Sequence, residues 1–187
     1  MLVPVQESSL DIEIPYTFGK QALSLSKFKG QIQLDSLNNT LSSGEITVEL
    51  EDFETKDPTL LCHFLESLTL DYSVSDYPAK HVCKDNKLPV TGKNSPQYRT
   101  ITASLVKPTH ISEPHLSLKW SIHGVEKDLE LPVKMTWSME NQILNLSSDW
   151  KMKRSDFNII VKKFLFVEAD NVVRLKLNLK LGLVSGN

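Results

Sequence analysis

Cysteine is scarce. Cys62 and Cys83 are the two in 187 residues, and a chain of this length buries a sufficient core without metal or disulfide staples. No apolar run is long enough to span a bilayer as a helix. The opening "MLVPVQESSL" lacks the basic start and apolar centre of a signal peptide. Two settings stay open: the cytoplasm, or a periplasmic or secreted location reached through a signal since removed, with a Met added. Strong charge of one sign is also missing. The net charge of −2 gives no electrostatic reason to expect a nucleic-acid partner. There is no Gly-rich phosphate loop, zinc-protease motif, Cys-x-x-Cys pair or nucleophile elbow. Repeats and low-complexity stretches are absent too.

What is present is ordinary for a globular protein, with 40% hydrophobic and 24% charged residues. The length predicts a single domain over residues 1–187. Period-two alternation dominates. In "VVRLKLNLKLGLV", Val173, Leu175, Leu177, Leu179, Leu181 and Leu183 face one way, and Arg174, Lys176, Asn178 and Lys180 the other. That is a strand with one buried and one wet face, which an antiparallel sheet allows. The pattern recurs at Leu116–Ile122, Leu129–Trp137, Leu144–Met152 and Ile46–Leu50. Weaker strands are predicted at "LDIEI", "ALSLSKF", "QIQLD", "AKHVC", "RTITASLV" and "NIIVKKFLF". "SLNNTLSSGE" reads as a loop ending near Glu45, and "MENQ" as a hairpin turn. One short helix is expected near residues 57–69. Asp57 is its candidate N-cap and Pro58 its first position, with Leu61, Phe64, Leu65 and Leu68 at helical spacing. Many antiparallel strands and one helix point to an all-β barrel with a plug or lid.

Several residues invite a chemical reading. His123 sits with Gly124 where two strands meet. A catalytic base would need a partner within hydrogen-bond reach, and an imidazole satisfying backbone groups at a hairpin end is the favoured reading. Arg154 and Asp156 lie two apart, so a strand would put them on one face. There they serve either a polar ligand head or, the favoured reading, an ion pair at a rim. Cys62, His63, His81 and Cys83 do not make a convincing zinc site, because adjacent helical residues diverge and structural zinc takes spaced pairs; no metal and no cofactor is expected. A Cys62–Cys83 disulfide would close a loop of about twenty residues and contribute roughly 3 kcal/mol in the chain-entropy model. It would imply an oxidising compartment. Two free thiols are the alternative, and both stay open, as does a homodimer.

"WSIHGVEKDLELPV" and "KMKRSDFNI" together resemble two signature segments of the YceI-like family, polyisoprenoid-binding lipocalin-like proteins. "SKFKGQIQLD" and the stretch ending in Tyr77-Pro78 are similar to its early strand and helical insertion. Asn158 stands where the family has Gly, and the helix is more apolar than the family's. The resemblance implies an eight-stranded antiparallel barrel around an elongated apolar cavity. It also implies a non-enzymatic role: binding, carrying or storing a long-chain apolar lipid such as a polyprenyl compound or quinone. Phe28, Phe53, Leu61, Phe64, Leu65, Leu68, Trp120, Ile122 and Phe157 are then the expected lining, with Arg154 a candidate for the head group. The alternative is a non-catalytic interaction module with a closed core and no ligand, since periodicity alone does not separate a filled core from a lined tunnel.

Overall fold

Alternating stretches become strands, and the strands join one antiparallel sheet. The computed structural model describes residues 1–57, 61, 64, 65, 67, 68, 98–160 and 169–184. Thirteen strands pair within that sheet. They are β1 (Leu2–Pro4), β2 (Ser9–Tyr16), β3 (Gly19–Leu25), β4 (Lys29–Asp35), β5 (Thr40–Glu49), β6 (Phe53–Glu54) and β7 (Thr100–Leu105). The rest are β8 (Thr109–His110), β9 (His115–Ile122), β10 (Val125–Pro132), β11 (Lys134–Ser138), β12 (Ile143–Lys153) and β13 (Val172–Leu183). Thirteen segments stand where eight strands are expected, because bends interrupt long strands. A 3₁₀ turn at Leu50–Asp52 separates β5 from β6. Pro132, which has no N–H to give a ladder, ends β10, and Val133 N–H turns to the Pro114 carbonyl at 2.8 Å. β5 starts at Thr40 rather than near Glu45. Asn158, Ile159 and Ile160 are not strand; residues 161–168 and "AKHVC" lie outside the described residues.

β13 organises the sheet. One edge pairs with β12 along its whole length, from Val172↔Lys153 to Gly182↔Ile143. The other edge is shared: Arg174–Asn178 pair with β2, and Leu181–Leu183 with β1. At the break between β1 and β2 the buried Ser8 replaces the ladder, its Oγ accepting from Lys180 N–H at 3.1 Å and donating to the Val5 carbonyl at 2.9 Å. Lys and Glu on the outward positions are solvated; Lys20–Glu13 and Arg174–Asp149 are examples of pairs among them.

The joint at His123 and Gly124 is a two-residue hairpin. Ile122 pairs with Val125, and the two turn residues have φ of 52° and 72°, as a type I′ turn requires. Glycine is needed at 124 for space as well, since a Cβ there would lie 2.5 Å from the Tyr98 ring. Between β4 and β5, a Cβ on Gly30 would sit 2.1 Å from the Glu45 carbonyl oxygen. The described residues of the predicted helical stretch, Leu61, Phe64, Leu65, Ser67 and Leu68, are α-helical. Leu61 N–H bonds the Asp57 carbonyl at 3.1 Å. Pro58 lies outside the described residues. Among those that are described, no helix is long and apolar enough to cross a membrane.

Buried side chains form two clusters. The larger holds Ile12, Phe53, Leu65, Trp120, Trp150, Phe157 and Leu175 among others. The smaller gathers Leu2, Ile32, Leu41, Leu116, Leu144, Leu146, Leu179 and Leu181.

Candidate functional site: an apolar cavity inside the sheet

The inward faces do not meet. They leave a cavity of about 140 Å³ walled by β2, β4, β5, β7, β9, β10, β12 and β13. The helical residues Phe64, Ser67 and Leu68 complete its wall. The lining follows strand parity: Leu116, Leu118, Trp120 and Ile122 on β9, and Val173, Leu175, Leu177 and Leu179 on β13. Val173 to Leu179 spans about 20 Å at the strand rise of roughly 3.3 Å per residue. The cavity is therefore long and narrow. Beyond it, Leu2, Leu41, Leu144 and Leu181 are 0% exposed and belong to one cluster. They make a floor at the end where β1 meets β13.

Of the ten residues expected at the site, Phe28, Phe64, Leu68, Trp120, Ile122 and Arg154 line the cavity. Phe53, Leu61, Leu65 and Phe157 do not, and they correct that part of the expectation. Phe53 is fully buried behind the wall, in edge-to-face contact with Phe64 at 5.2 Å between ring centroids. Phe157 is fully buried in its 3₁₀ turn. Leu65 is buried in, and Leu61 packed against, the larger cluster without reaching the cavity. The rest of the wall is mostly aliphatic and comes from residues outside that expected set: Leu10, Ile12 and Ile14 on β2, Met152 on β12 and the leucines of β13, with one aromatic, Trp150. The period-two pattern already marked many of these as inward.

Polar groups on the wall are few. Ser67 Oγ is spent on the Phe64 carbonyl at 2.7 Å. Arg154 braces the chain around it: Nε donates to the Asp170 carbonyl at 3.0 Å, and its two terminal nitrogens donate to Ile159 and Ala169 carbonyls at 3.2 and 3.0 Å. The expected shared face with Asp156 fails, because Arg154–Phe157 is a 3₁₀ turn rather than a strand; Asp156 lies 3.7 Å from Lys127 instead. His123 is buried, its ring tilted at 56° against Tyr98 with centroids 4.7 Å apart, and its Nδ1 lies 3.2 Å from the Phe157 carbonyl. A carbonyl only accepts, so Nδ1 carries the proton. Trp120 and Trp150 both reach the cavity, and neither indole N–H finds an acceptor among the described residues. An unpaired buried donor costs about 1–3 kcal/mol. Among the described residues no three His, Cys, Asp or Glu gather as for a metal. Cys62, His63, His81 and Cys83 lie outside them, and with them the disulfide question.

A family model described as "YceI-like domain" matches residues 4–181. The chain belongs to the YceI-like family. Solved structures agree in fold. BcnA of Burkholderia cenocepacia is 14% identical, with 93% of this chain and 96% of that one covered and a TM-score of 0.65. A polyisoprenoid binding domain from Saccharophagus degradans, implicated in plant cell wall breakdown, is 10% identical over 98% of both chains, also at 0.65. A YCEI protein from Campylobacter jejuni is 14% identical over 87% and 85%, at 0.59. Identities this low carry the fold and no more. No curated protein sequence matches the chain.

The two YceI-like segments of the sequence have a physical link. Ile122-His123-Gly124-Val125 makes the type I′ turn, and Arg154-x-Asp156-Phe157 makes the 3₁₀ turn. The His123–Phe157 hydrogen bond fastens one to the other. Asn158, where the family has Gly, takes the left-handed conformation at φ 53° and ψ 25°, which asparagine tolerates better than most residues. Both segments, with Arg154, therefore sit at one end of the cavity, away from the leucine floor.

Proposed function

We propose that this YceI-like protein is a non-catalytic carrier or store for a long, slender apolar lipid, a polyisoprenoid or quinone-like chain, held inside an eight-stave antiparallel barrel. Strand pairing supports the barrel. β1 and β2, β3 and β4, β5 and β6, and β10 and β11 are each read as one bent stave. With β7, β9, β12 and β13 they make eight, each paired to the next, and β13 pairs back to β1 and β2. One seam is loose. β10 and β12 share no ladder, and the Ser148 hydroxyl, donating to the Pro132 carbonyl at 2.7 Å, ties the chain there.

The observation that carries the function is the apolar cavity spanning the strands. Each buried CH₂ is worth about 0.8 kcal/mol, so an isoprene unit yields roughly 3–4 kcal/mol gross, and ordering a flexible chain offsets much of that. Volume bounds the occupant. An apolar cavity of about 150 Å³ takes one benzene, and this one is of that order. A chain of several units therefore needs wall side chains to swing aside, and half-buried Phe28, Leu118, Met152 and Leu177 are placed to do so. The same modest volume favours the second reading, a closed interaction module.

Native mass spectrometry of the purified protein and organic extraction test the choice. The expected result is a released lipid, and its loss from a folded Ala103→Trp variant, whose indole would fill the cavity from β7. A protein that yields no lipid and takes up none from isoprenoid vesicles is the closed module instead.

A further inference from the structure

Neighbouring staves are joined by backbone ladders, but one joint is only half closed. β11 pairs with Ile143–Ser147 of β12; beyond it β10 and β12 run on without a ladder among the described residues. Extending the β11–β12 register past Lys134↔Ser147 would set Leu131 opposite Trp150 and Leu129 opposite Met152. The chain leaves that register at Val133, whose N–H turns to the Pro114 carbonyl, and at Pro132, which has no N–H to give. Side chains hold the two ends of the gap. At one end the Ser148 hydroxyl donates to the Pro132 carbonyl at 2.7 Å. At the other, His123 Nδ1 donates to the Phe157 carbonyl at 3.2 Å, and Lys127 lies 3.7 Å from Asp156. An open groove runs outside the gap, rimmed by Glu130, Lys151 and Lys153. Leu131, Trp150 and Met152 line both that groove and the inner cavity, so these three residues are the partition between the two spaces. We propose that the gap is a side portal through which a lipid chain passes between the groove and the cavity, with Leu131, Trp150 and Met152 as its gate. The inference rests on the lipid-carrier reading above.

Relative cost decides where the wall opens. One net backbone hydrogen bond makes the parting of two strands about fivefold rarer, and four make it several hundredfold rarer, in the sense of ~600. β9 and β10 share eight register pairs, so parting them breaks bonds on that scale. Parting β10 from β12 breaks no ladder bond. It asks the Ser148 hydroxyl to let go and the gate side chains to turn. The Lys127–Asp156 pair is half-exposed and adds little resistance, and the His123 bond lies at the end of the gap and stays made while the middle widens. Met152 suits the gate, because it is half-buried and its unbranched side chain repacks readily. The ends of the cavity are worse routes. Four fully buried leucines close one, and buried His123 and Phe157 sit at the other.

Bromododecane, a slender apolar chain whose bromine quenches tryptophan fluorescence, is the probe. Ser148→Ala removes the tie across the gap. Ser8→Ala removes a like tie at the leucine floor, where the Ser8 hydroxyl donates to the Val5 carbonyl at 2.9 Å and accepts from Lys180 N–H at 3.1 Å. Neither serine lines the cavity. In Ser148→Ala, release of bound bromododecane into excess phosphatidylcholine vesicles and its uptake should both speed up about fivefold, with Kd within about twofold, the worth of one hydrogen bond in the opening equilibrium. Ser8→Ala should leave both rates near wild type. A second readout uses wild-type protein without lipid. The Trp150 indole N–H is buried and exchanges its proton only when the wall opens. Its exchange should be flat in urea below the unfolding transition, as a local opening is, while the amides of the β12–β13 ladder follow global unfolding and rise with urea. If bromododecane binds but the two serine variants change its release alike, or the Trp150 indole exchanges only with global unfolding, the portal falls and the lipid reading stands. If bromododecane does not bind, the lipid reading falls and takes the portal with it.

Discussion

Leu144 and Leu146 offer a direct test of whether the cavity is open in solution. Both are buried leucines on β12, pointing to the same side, in the same apolar cluster, at 0% and 4% exposure. Leu146 lines the cavity and Leu144 does not. Truncation to alanine removes three carbons in each case, about 2–2.5 kcal/mol of transfer free energy at 0.8 kcal/mol per carbon. At position 144 a second cost follows, because packed neighbours lose their contacts. For a leucine-sized void that is about 2 kcal/mol at roughly 24 cal/mol per Å³. At position 146 part of the side chain already faces empty space, where those contacts do not exist, so the second cost falls to about half or less. Leu144→Ala should thus lose about 4 kcal/mol and Leu146→Ala about 2–3 kcal/mol. Urea unfolding of delipidated protein, followed by tryptophan fluorescence and far-ultraviolet dichroism together, measures both, provided m is unchanged. Adding lipid should then widen the Leu146→Ala deficit, since its wall contacts are lost from the complex. Equal losses without lipid would mean that Leu146 is packed on every side. The cavity would then be closed in solution, and the reasoning from it would fail.

Other consequences are simpler. Gly124→Ala should cost about 1–3 kcal/mol, from a left-handed backbone without glycine and a Cβ driven into Tyr98; an unchanged urea midpoint would show that the turn rearranges freely. Arg154→Lys keeps the charge but cannot span three carbonyls, so it should lower the thermal midpoint while lipid capture stays near wild type; a selective loss of capture would instead make Arg154 a head-group ligand. Asp149 accepts from Arg174 at both oxygens, at 2.9 and 2.7 Å, and those hydrogen bonds hold its carboxyl below the ordinary 3.8. A depressed folded value means that the pair's contribution is present above about pH 4 and is lost as pH falls through the folded value. The gap in urea midpoint between wild type and Asp149→Asn should therefore exist at pH 7 and shrink as pH falls through the depressed folded value; a gap that does not shrink in acid would assign the effect to something other than ionisation.

Strand parity made much of the fold legible. β9, β12 and β13 carry enough alternating residues that no helical reading competes, and the Leu116, Leu146 and Leu175 sides were fixed as inward by the pattern alone. Local geometry was harder to read. β1 has three residues, too few to show a period, yet it holds one edge of β13. Leu41–Gly44 looked like loop because Ser42, Ser43 and Gly44 are turn formers, and cross-strand pairing to β4 overrode that preference. A spacing of two puts Arg154 and Asp156 on one face only in a strand, and the 3₁₀ turn at Arg154–Phe157 separates them.

The site was less legible than the fold because parity says that a side chain points inward but not how far the opposite wall stands. Phe28 and Phe53 look alike in sequence; one lines the cavity and the other is buried behind Phe64. Leu179 and Leu181 are successive inward residues of β13; one borders the cavity and the other belongs to its floor. The difference lies in the partners: Leu181 faces Leu144 on β12 and Pro4 on β1, all within the closed leucine floor or beside it, while Leu179 faces Leu146, and both border the cavity. That closure gives the cavity a direction. Four fully buried leucines close one end, so on the proposed reading a lipid tail that reaches them lies with its other end toward the His123 and Arg154 turns. A nitroxide spin label on the tail terminus checks that orientation: it should broaden the Leu146 and Leu179 methyl signals and spare those near Phe64, and the reverse pattern would turn the lipid around.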